Sequence, residues 1–250
     1  MTRSVETLFG LHTVRALLLR RPERVLRLKL AAGRDDARMR EIVELAARHG
    51  VAVERADAHE LKRLVGELVH QGVVAEVSSL APWSEDDLLA ALGGAKEPLV
   101  LALDGVQDPH NLGACVRTAD ACGALAVVVP KDRAAQLTPT VRKVAAGAAE
   151  TTPVVAVTNL VRCLGLLKQG GLWVVGAEAR ADKRPQDVDL RTGTVLVLGA
   201  EGAGLRQLTR QSCDLMVRLP QMGAVESLNV SVAAGMLLYE AVRQREEARS

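Results

Sequence analysis

The sequence predicts an α/β protein with a small unit at residues 1–77 and a larger unit at residues 99–250. Apolar runs typical of buried strands alternate with segments of helical period along most of the chain. This alternation is typical of sheets covered by helices. Between residues 78 and 98 it lapses into Ser, Pro and Gly around a short acidic stretch, which indicates a linker.

In the small unit, apolar residues recur at helical spacing from Leu11 to Arg21. Residues 25–31 then alternate apolar and basic side chains, as a half-buried strand does. A second helical period runs from Asp36 to His49 and ends at Gly50, a residue type that commonly ends helices. Further elements are predicted as strands at 51–54 and 73–77 and a helix at 59–65.

The larger unit is predicted to contain a parallel sheet, because short continuous apolar runs are typical of strands buried on both faces. The predicted strands are residues 99–103, 126–129, 154–157, 172–176, 194–198 and 216–219. The predicted helices are residues 85–92, 111–122 and 228–245. The last helix is so rich in Val, Ala and Leu that we expect it to be largely buried.

The composition is that of a globular protein, since 48% of the 250 residues are hydrophobic and 25% are charged. A formal charge of +2 gives no global attraction for nucleic acid, so an RNA site would have to be local. The first 30 residues hold seven basic and two acidic residues, which suit either a phosphate-facing patch or a solvated helix face. Aromatic residues make up only 2%, too few for a module that stacks bases.

The cysteines form no CxxC pair and have no histidine at metal-ligand spacing, so we expect no metal site and no thioredoxin-like motif. We expect them to be small core residues in a reducing compartment. Charged residues interrupt the N-terminal segment, and no apolar stretch of about 18 residues occurs. These features predict a cytoplasmic protein with no membrane partner.

The first of three polar loops follows the strand at 99–103, at the strand end where open α/β sheets bind ligands. Its polar or turn-forming residues are Asp104, Gly105, Asp108, Pro109 and Asn111. Asn111 is a good helix cap, and Arg117 follows a little under two turns later. Taken alone, this segment is better explained as a capped helix with a surface arginine.

The second loop follows the strand at 194–198 and holds Glu201 among Gly199, Gly202 and Gly204. Its order, GxxGxG, differs from the dinucleotide-binding GxGxxG, and no GxxxxGK[ST] motif occurs, so NAD and ATP are poor candidates. The glycines would let a flat ligand approach the backbone closely. A glycine-rich turn without a ligand explains this segment equally well.

The third loop follows the strand at 216–219 and holds Gln221, Glu226, Ser227 and Asn229. A plain structural explanation makes Ser227 the N-cap of the last helix and Asn229 or Ser231 an ordinary residue of its first turn. This loop alone does not decide the function.

Together the three loops closely resemble the SpoU (TrmH-like) family of RNA ribose 2′-O-methyltransferases. The family signatures occur in order as Asn111-Leu-Gly-Ala-Cys-Val-Arg117, Leu198-Gly-Ala-Glu-Gly-Ala-Gly204, and Leu219-Pro220 through Ser227-Leu-Asn-Val-Ser231. The likeness is strongest to the bacterial branch that methylates a guanosine in the peptidyl-transferase region of 23S rRNA. One departure is residues 221–226, which read Gln-Met-Gly-Ala-Val-Glu where relatives often have Met-Ala-Gly-Ser-Val-Ser.

The resemblance implies a SPOUT-type α/β-knot catalytic domain, in which the C-terminal segment forms a trefoil knot, and an N-terminal RNA-binding domain like ribosomal protein L30e. It also implies a homodimer through the knot domain, with the site completed across the interface, and 23S rRNA or a ribosomal precursor as substrate. The implied cofactor is S-adenosyl-L-methionine, held mainly by backbone groups. The implied cofactor-binding residues are Gly199, Gly202, Leu219, Met222 and Leu228.

The catalytic residues that the resemblance implies are Arg117, Asn111, Glu201, Ser227 and Asn229. Arg117 has been assigned as a base in this family, but a guanidinium with a pKa above about 12 rarely gives up its proton. We therefore expect Arg117 to bind the phosphate beside the target ribose and to stabilise the developing alkoxide, with Asn111 positioning it. Glu201 is the more natural proton acceptor, or else it orients Arg117 or the ribose.

Two other classes of protein remain as alternatives at this point. A non-catalytic RNA-binding protein of the L30e type would explain residues 1–77 but would leave the three polar loops without a role. A nucleotide-dependent oxidoreductase is disfavoured because its glycine fingerprint is missing.

Overall fold

A computed structural model describes residues 5–66, 69–79, 81–224 and 227–249. The chain divides into two compact units. The first consists of Met1–Ala81 together with Ala146–Thr151, and the second of Pro82–Ala145 together with Thr152–Ser250. The division after Ala81 falls within the segment whose composition indicates a linker, whereas the assignment of residues 146–151 to the first unit is not predicted by the sequence.

The first unit is a four-stranded sheet with three helices. Its strands are β1 (Val5–Phe9), β2 (Val25–Ala31), β3 (Val53–Ala56) and β4 (Val73–Ser78), and its helices are α1 (Leu11–Arg20), α2 (Ala37–Arg48) and α3 (Ala58–Val65). The strand order is β1-β4-β2-β3, with β2 and β3 parallel and the other pairs antiparallel. Strand β1 is missed by the sequence analysis because it is a five-residue edge strand whose partner, β4, lies almost 70 residues away.

The second unit contains six strands, all parallel, as the continuous apolar runs predict. Its strands are β5 (Leu99–Asp104), β6 (Ala126–Pro130), β7 (Val154–Val157), β8 (Trp173–Ala177), β9 (Thr194–Gly199) and β10 (Leu215–Val217). The order across the sheet is β10-β8-β9-β5-β6-β7. The α/β prediction is confirmed, while the trefoil knot stays a prediction.

Helices cover this parallel sheet. They are α4 (Glu85–Leu92), α5 (Pro109–Ala121), α6 (Pro139–Val144), α7 (Leu160–Gln169), α8 (Gln207–Gln211) and α9 (Val230–Glu247). Helix α4 lies in the segment predicted as a linker, yet its Leu88 is fully buried in the core of this unit. The apolar spacing within α4 explains how a short acidic segment packs there.

Acidic residues of the first unit, mostly from outside the N-terminal segment, pair with most of the described basic residues of that segment. Arg15 pairs with Glu41, and Arg27 and Lys29 also have carboxylate partners. Arg20 and Arg21 form no ion pair with any residue that the structure describes, and Arg3 lies outside the described residues. The cationic surface is therefore smaller than the charge count indicates.

Arg24 of the same segment is buried rather than solvent-facing. Its guanidinium donates to the Ser78 carbonyl oxygen at 3.0 Å and to the carboxylates of Glu6, at 2.7 Å, and Glu150. The side chains of Arg24 and Glu150 are only 4% and 1% exposed. We call these four residues the Arg24 network, and it joins β1, β4 and residues 146–151 within the first unit.

Within the described ranges, no helix has the length and apolar character needed to cross a membrane. No group of three or more His, Cys, Asp or Glu residues in the same ranges is arranged to hold a metal ion. Burial raises the pKa of Cys115 and Cys163 to about 12 and that of Cys213 to about 11. These thiols are therefore protonated at neutral pH and are poor nucleophiles.

Candidate active site

A cleft of about 330 Å³ opens at the carboxyl edge of the parallel sheet in the second unit. It lies where β10, β8 and β9 end side by side, which is the edge where open α/β sheets bind ligands. Its lining comes from residues 177–180 after β8, residues 198–205 at the end of β9, Leu219 and Gln221 after β10, and Ser227, Leu228, Val230 and Ala233 around the start of α9. Its size is within the range of small-molecule pockets, roughly 300–1,000 Å³.

The glycine-rich loop after β9, residues 199–205, forms one wall of the cleft with its backbone. A Cβ atom on Gly199 would lie 2.0 Å from the carbonyl carbon of Gly204, so no other residue fits at the strand end. Gly202 has a φ of +75°, a left-handed conformation that side chains disfavour. The loop closes through a hydrogen bond from the Gly204 N–H to the Ala200 carbonyl oxygen. The order GxxGxG is therefore required by this turn itself.

Two amide side chains, from separate elements, and one backbone N–H meet at the Glu201 carboxylate. Its Oε1 accepts hydrogen bonds from Nδ2 of Asn111 at 3.2 Å, from Nδ2 of Asn229 at 2.7 Å and from the backbone N–H of Val230 at 3.3 Å. Nδ2 of Asn229 also donates to Oδ1 of Asn111 at 2.9 Å. We call Asn111, Glu201 and Asn229 the amide–carboxylate cluster, and one residue comes from each polar loop.

Helix capping explains how Asn111 becomes available to this cluster. The prediction that Asn111 caps α5 is wrong, because the helix begins at Pro109 and Asp108 is its N-cap, accepting a hydrogen bond from the His110 N–H. Proline is favoured at the first position of a helix, where its missing N–H costs nothing. Asn111 consequently lies in the first turn of α5 with its amide free to face Glu201.

Helix α9 begins later than the pattern predicts, and its cap is Asn229 rather than Ser227. The Asn229 Oδ1 accepts hydrogen bonds from the backbone N–H groups of Ser231 and Val232. Because that oxygen caps the helix, the Nδ2 group points back to Glu201. The Val230 N–H at the helix start also faces the carboxylate, where the helix dipole favours negative charge.

Comparison with known proteins identifies the family. Residues 98–239 match the model described as the SpoU rRNA Methylase family. This chain belongs to that family. Residues 7–83 match the model described as RNA 2'-O ribose methyltransferase substrate binding.

The similarity to individual members of the SpoU family covers nearly the whole chain. The 23S rRNA (guanosine-2'-O-)-methyltransferase RlmB of Pseudomonas aeruginosa is 56% identical over 243 residues, which cover 96% of this chain and 97% of that protein. The Escherichia coli K12 protein of the same name is 45% identical over 240 residues, covering 96% and 99%. The crystal structure of the SpoU methyltransferase AviRb from Streptomyces viridochromogenes in complex with AdoMet is 25% identical, with a TM-score of 0.75 and coverage of 97% and 91%.

Most of the residues expected to form the SpoU cofactor site lie together. Gly199, Gly202, Leu219 and Leu228 line the cleft, as do Glu201 and Ser227. Met222 is 97% exposed and is not part of the lining. Glu226, in the loop that departs from its relatives, lies outside the described residues.

Of the expected catalytic residues, Ser227 lines the cleft, whereas Arg117 lies neither in the cleft lining nor in the amide–carboxylate cluster. It is exposed on α5, and it makes no hydrogen bond or ion pair with any described residue. Its helix position is six residues after Asn111, which places the two side chains on different faces. Asn111 contacts Glu201 and Asn229 rather than Arg117.

A fourth segment of the site, residues 177–180 after β8, is not predicted by the sequence motifs. It contributes Glu178 and Arg180 to the cleft lining, and Glu178 also pairs with Arg210 at 2.9 Å. The predicted strand at 172–176 could have indicated this segment. The residues that follow each strand of a parallel sheet lie at the same edge, and residues 177–180 follow this strand directly.

Proposed function

We propose that this protein is an S-adenosyl-L-methionine-dependent methyltransferase that modifies the ribose 2′-hydroxyl of a guanosine in 23S rRNA, in the peptidyl-transferase region. The observation that carries the proposal is the amide–carboxylate cluster beside a glycine-lined cleft. A binding protein of the L30e type would not need such a cluster. The names of relatives that are 45% and 56% identical over nearly the whole chain support the same reaction and substrate.

The proposed cofactor residues are Gly199, Gly202, Leu219 and Leu228 in the cleft lining and Met222 in the neighbouring loop. The cleft fits such a group because its wall is bare backbone that a flat ligand can approach closely. When bound, S-adenosyl-L-methionine supplies a methyl group made electrophilic by its sulfonium. The chain itself must then orient the ribose and accept the hydroxyl proton.

Glu201 is proposed as the proton acceptor. Its Oε1 is fixed by three N–H donors, whereas its Oε2 accepts no hydrogen bond from any residue in the described part of the chain. A carboxylate held in this way has one oxygen for orientation and one for the substrate. Asn111 and Asn229 are then positioning residues, and Ser227, at the mouth of the cleft, is proposed to contact the ribose.

Arg117 is proposed to bind the phosphate beside the target ribose in the site of a second protomer. Helix α5 packs against α9, since a Cβ on Gly235 would lie 3.6 Å from Cγ2 of Thr118. On α9, Val232, Met236 and Tyr239 are exposed at helical spacing and form an apolar stripe. Covering this stripe with the same face of a second copy would form a homodimer and bring Arg117 to the interface.

The first unit, Met1–Ala81 together with Ala146–Thr151, is proposed as the RNA substrate-binding domain. Its match to the substrate-binding family model supports this role. Arg20 and Arg21 are its clearest candidates for phosphate contacts, because their charges are not neutralised by any described residue. A ribosomal RNA substrate places the proposed reaction in the cytoplasm.

Calorimetry with S-adenosyl-L-methionine tests the cofactor, and mapping of ribose methylation tests the substrate. The protein should bind the cofactor with a measurable heat, whereas a pure RNA-binding protein should give none. In a strain that lacks the gene, mass mapping of 23S rRNA should show the loss of one guanosine 2′-O-methyl group. The wild-type gene should restore that methyl group, and the Glu201→Gln gene should not. Cofactor binding without any missing methyl group would refute the proposed substrate.

Mixed dimers test whether the site is shared between protomers. Arg117→Ala and Glu201→Gln proteins should each be inactive alone. If Arg117 acts in the partner's site, random mixing should restore about a quarter of the wild-type activity. Half of the dimers are then mixed dimers, and one of the two sites in each mixed dimer is intact. Mixtures that stay inactive, although exchange of labelled protomers proves that mixed dimers form, would place Arg117 in its own chain's site.

A further inference from the structure

Asp104 is a buried carboxylate that the proposed reaction does not use. It is the last residue of β5, and its side chain is completely buried. In the sheet it lies directly opposite Gly199, the residue at which β9 ends and the glycine-rich loop begins. A buried carboxylate is costly unless it is paired, so its position at this strand end requires an explanation.

Both partners of Asp104 belong to a single residue, Arg206, at the far end of the glycine-rich loop. Oδ2 accepts a hydrogen bond from the Arg206 backbone N–H at 2.9 Å. Oδ1 lies 2.8 Å from Nε of Arg206, a close ion pair without hydrogen-bond geometry, and it accepts no hydrogen bond from any described residue. The Arg206 side chain is about half exposed, so the carboxylate is buried while its counter-charge reaches the surface.

These contacts fix the second end of the glycine-rich loop. Its first end is fixed by β9, and its middle closes on itself between Ala200 and Gly204. The next polar contacts between this part of the chain and the sheet edge are the ion pair of Arg210 with Glu178 and the hydrogen bond from the Asp214 N–H to the Val174 carbonyl oxygen, so Asp104 is the anchor nearest to the end of the loop. Gly105, which follows Asp104, has a φ of +83°, a left-handed conformation that favours glycine beside the Arg206 guanidinium.

We propose that Asp104 and Arg206 are positioning residues that hold the glycine-rich loop in the shape needed to bind the cofactor. This proposal rests on the proposed function, because the loop is the wall of the proposed cofactor cleft. Neither residue touches the cleft itself, so both act through the backbone of residues 199–205. Breaking the pair should therefore weaken cofactor binding more than it slows methyl transfer.

Arg206→Gln is the main test, because it removes the charge and keeps the backbone N–H that Asp104 binds. Arg206 is the N-cap of α8 but makes no side-chain cap bond, so no cap is lost. We expect the Kd and KM for S-adenosyl-L-methionine to rise about tenfold, with kcat changed less than about twofold. Arg206→Lys, which keeps the charge, should restore part of the affinity. Arg162→Gln, which likewise removes an exposed arginine from a largely buried carboxylate, Glu85, in the same unit, is the matched control and should change neither constant.

Amide hydrogen exchange of the free protein tests, without any ligand, whether the pair of Asp104 and Arg206 holds the glycine-rich loop. In Arg206→Gln, amide exchange should accelerate at residues 200–206 and stay unchanged in β5 and β9. Asp104→Asn, which keeps an acceptor for the N–H, should show the same pattern. Unchanged loop exchange, or a lower Tm with unchanged Kd and KM, would overturn the proposal. If the wild-type protein binds no S-adenosyl-L-methionine, the proposed function fails and the cofactor-positioning role fails with it, while hydrogen exchange still shows whether the pair holds the loop.

Discussion

The Arg24 network and the amide–carboxylate cluster both join polar side chains from distant parts of the chain, but they differ in exposure. The Arg24 guanidinium is buried and donates hydrogen bonds to two carboxylates and a backbone carbonyl oxygen. In the cluster, Glu201 and Asn229 are exposed and Asn111 is half-buried, and Glu201 keeps one oxygen without a hydrogen-bond donor among the described residues. The central ion pair of the first network is shielded from a ligand by burial, whereas the second network has an exposed carboxylate oxygen that a ligand can reach.

This difference separates stability from chemistry. Removing one member of a buried ion network leaves an uncompensated charge, which typically costs about 3–5 kcal/mol. Exposed polar groups contribute little to folding because water replaces their partners. We therefore expect substitutions in the Arg24 network to destabilise the protein and substitutions in the cluster to inactivate it.

Glu201→Gln should have the largest effect, on activity alone. The amide keeps an oxygen for its three donors but cannot accept the hydroxyl proton, so the single-turnover methyl-transfer rate should fall about 100-fold or more. The Tm should change little because Glu201 is exposed. Glu44→Gln is the control, because it makes the same substitution at an exposed position on α2 and should leave the methyl-transfer rate unchanged. A Glu201→Gln protein with more than half of the wild-type rate would exclude Glu201 as the proton acceptor.

Arg24→Ala should show the opposite behaviour. The Glu150 carboxylate, only 1% exposed, would lose a charged partner, and the free energy of unfolding should fall by about 3–5 kcal/mol. Arg15→Ala is the matched control, because its pair with Glu41 is nearly half exposed and should contribute less than about 1 kcal/mol. Urea unfolding followed by far-UV circular dichroism measures both. Equal losses in the two variants would contradict the comparison.

Gly199→Ala should damage the cleft without touching either network. The added Cβ would meet the Gly204 backbone at 2.0 Å, so the loop must move, and affinity for S-adenosyl-L-methionine should fall at least about tenfold. Gly165→Ala in α7 adds the same atom in open space and should stabilise the protein by about 0.5–1 kcal/mol. Calorimetry and thermal unfolding of both variants give the comparison. Wild-type affinity in Gly199→Ala would show that the loop's shape does not govern binding.

Local patterns predicted the strands of the parallel sheet and the three polar loops, because continuous apolar runs and strand ends are visible in short windows. Contacts between distant residues were not visible. The sequence predicts Asn111 as a helix cap, but α5 begins at Pro109 and Asp108 is its cap. The basic N-terminal segment predicts a surface cation at Arg24, but Arg24 is buried and pairs with Glu150. Charge and spacing identify the residue types of a site, whereas burial and partners are set by the fold.

The exposed pair of Asp189 and Arg191 gives the smallest predicted effect. Hydrogen bonds from the Arg191 guanidinium and backbone N–H lower the pKa of Asp189 to about 2 from its usual 3.8. A carboxylate with a lowered native pKa stabilises the fold above its unfolded pKa, and this stabilisation is lost as pH falls toward 2. Both side chains are about half exposed, so Asp189→Asn should cost less than about 1 kcal/mol at pH 6. Urea titrations of both proteins at pH 6, 4 and 3 should show this difference shrinking only below about pH 4. A difference that instead grows on acidification would mean that the ionised carboxylate destabilises the native state.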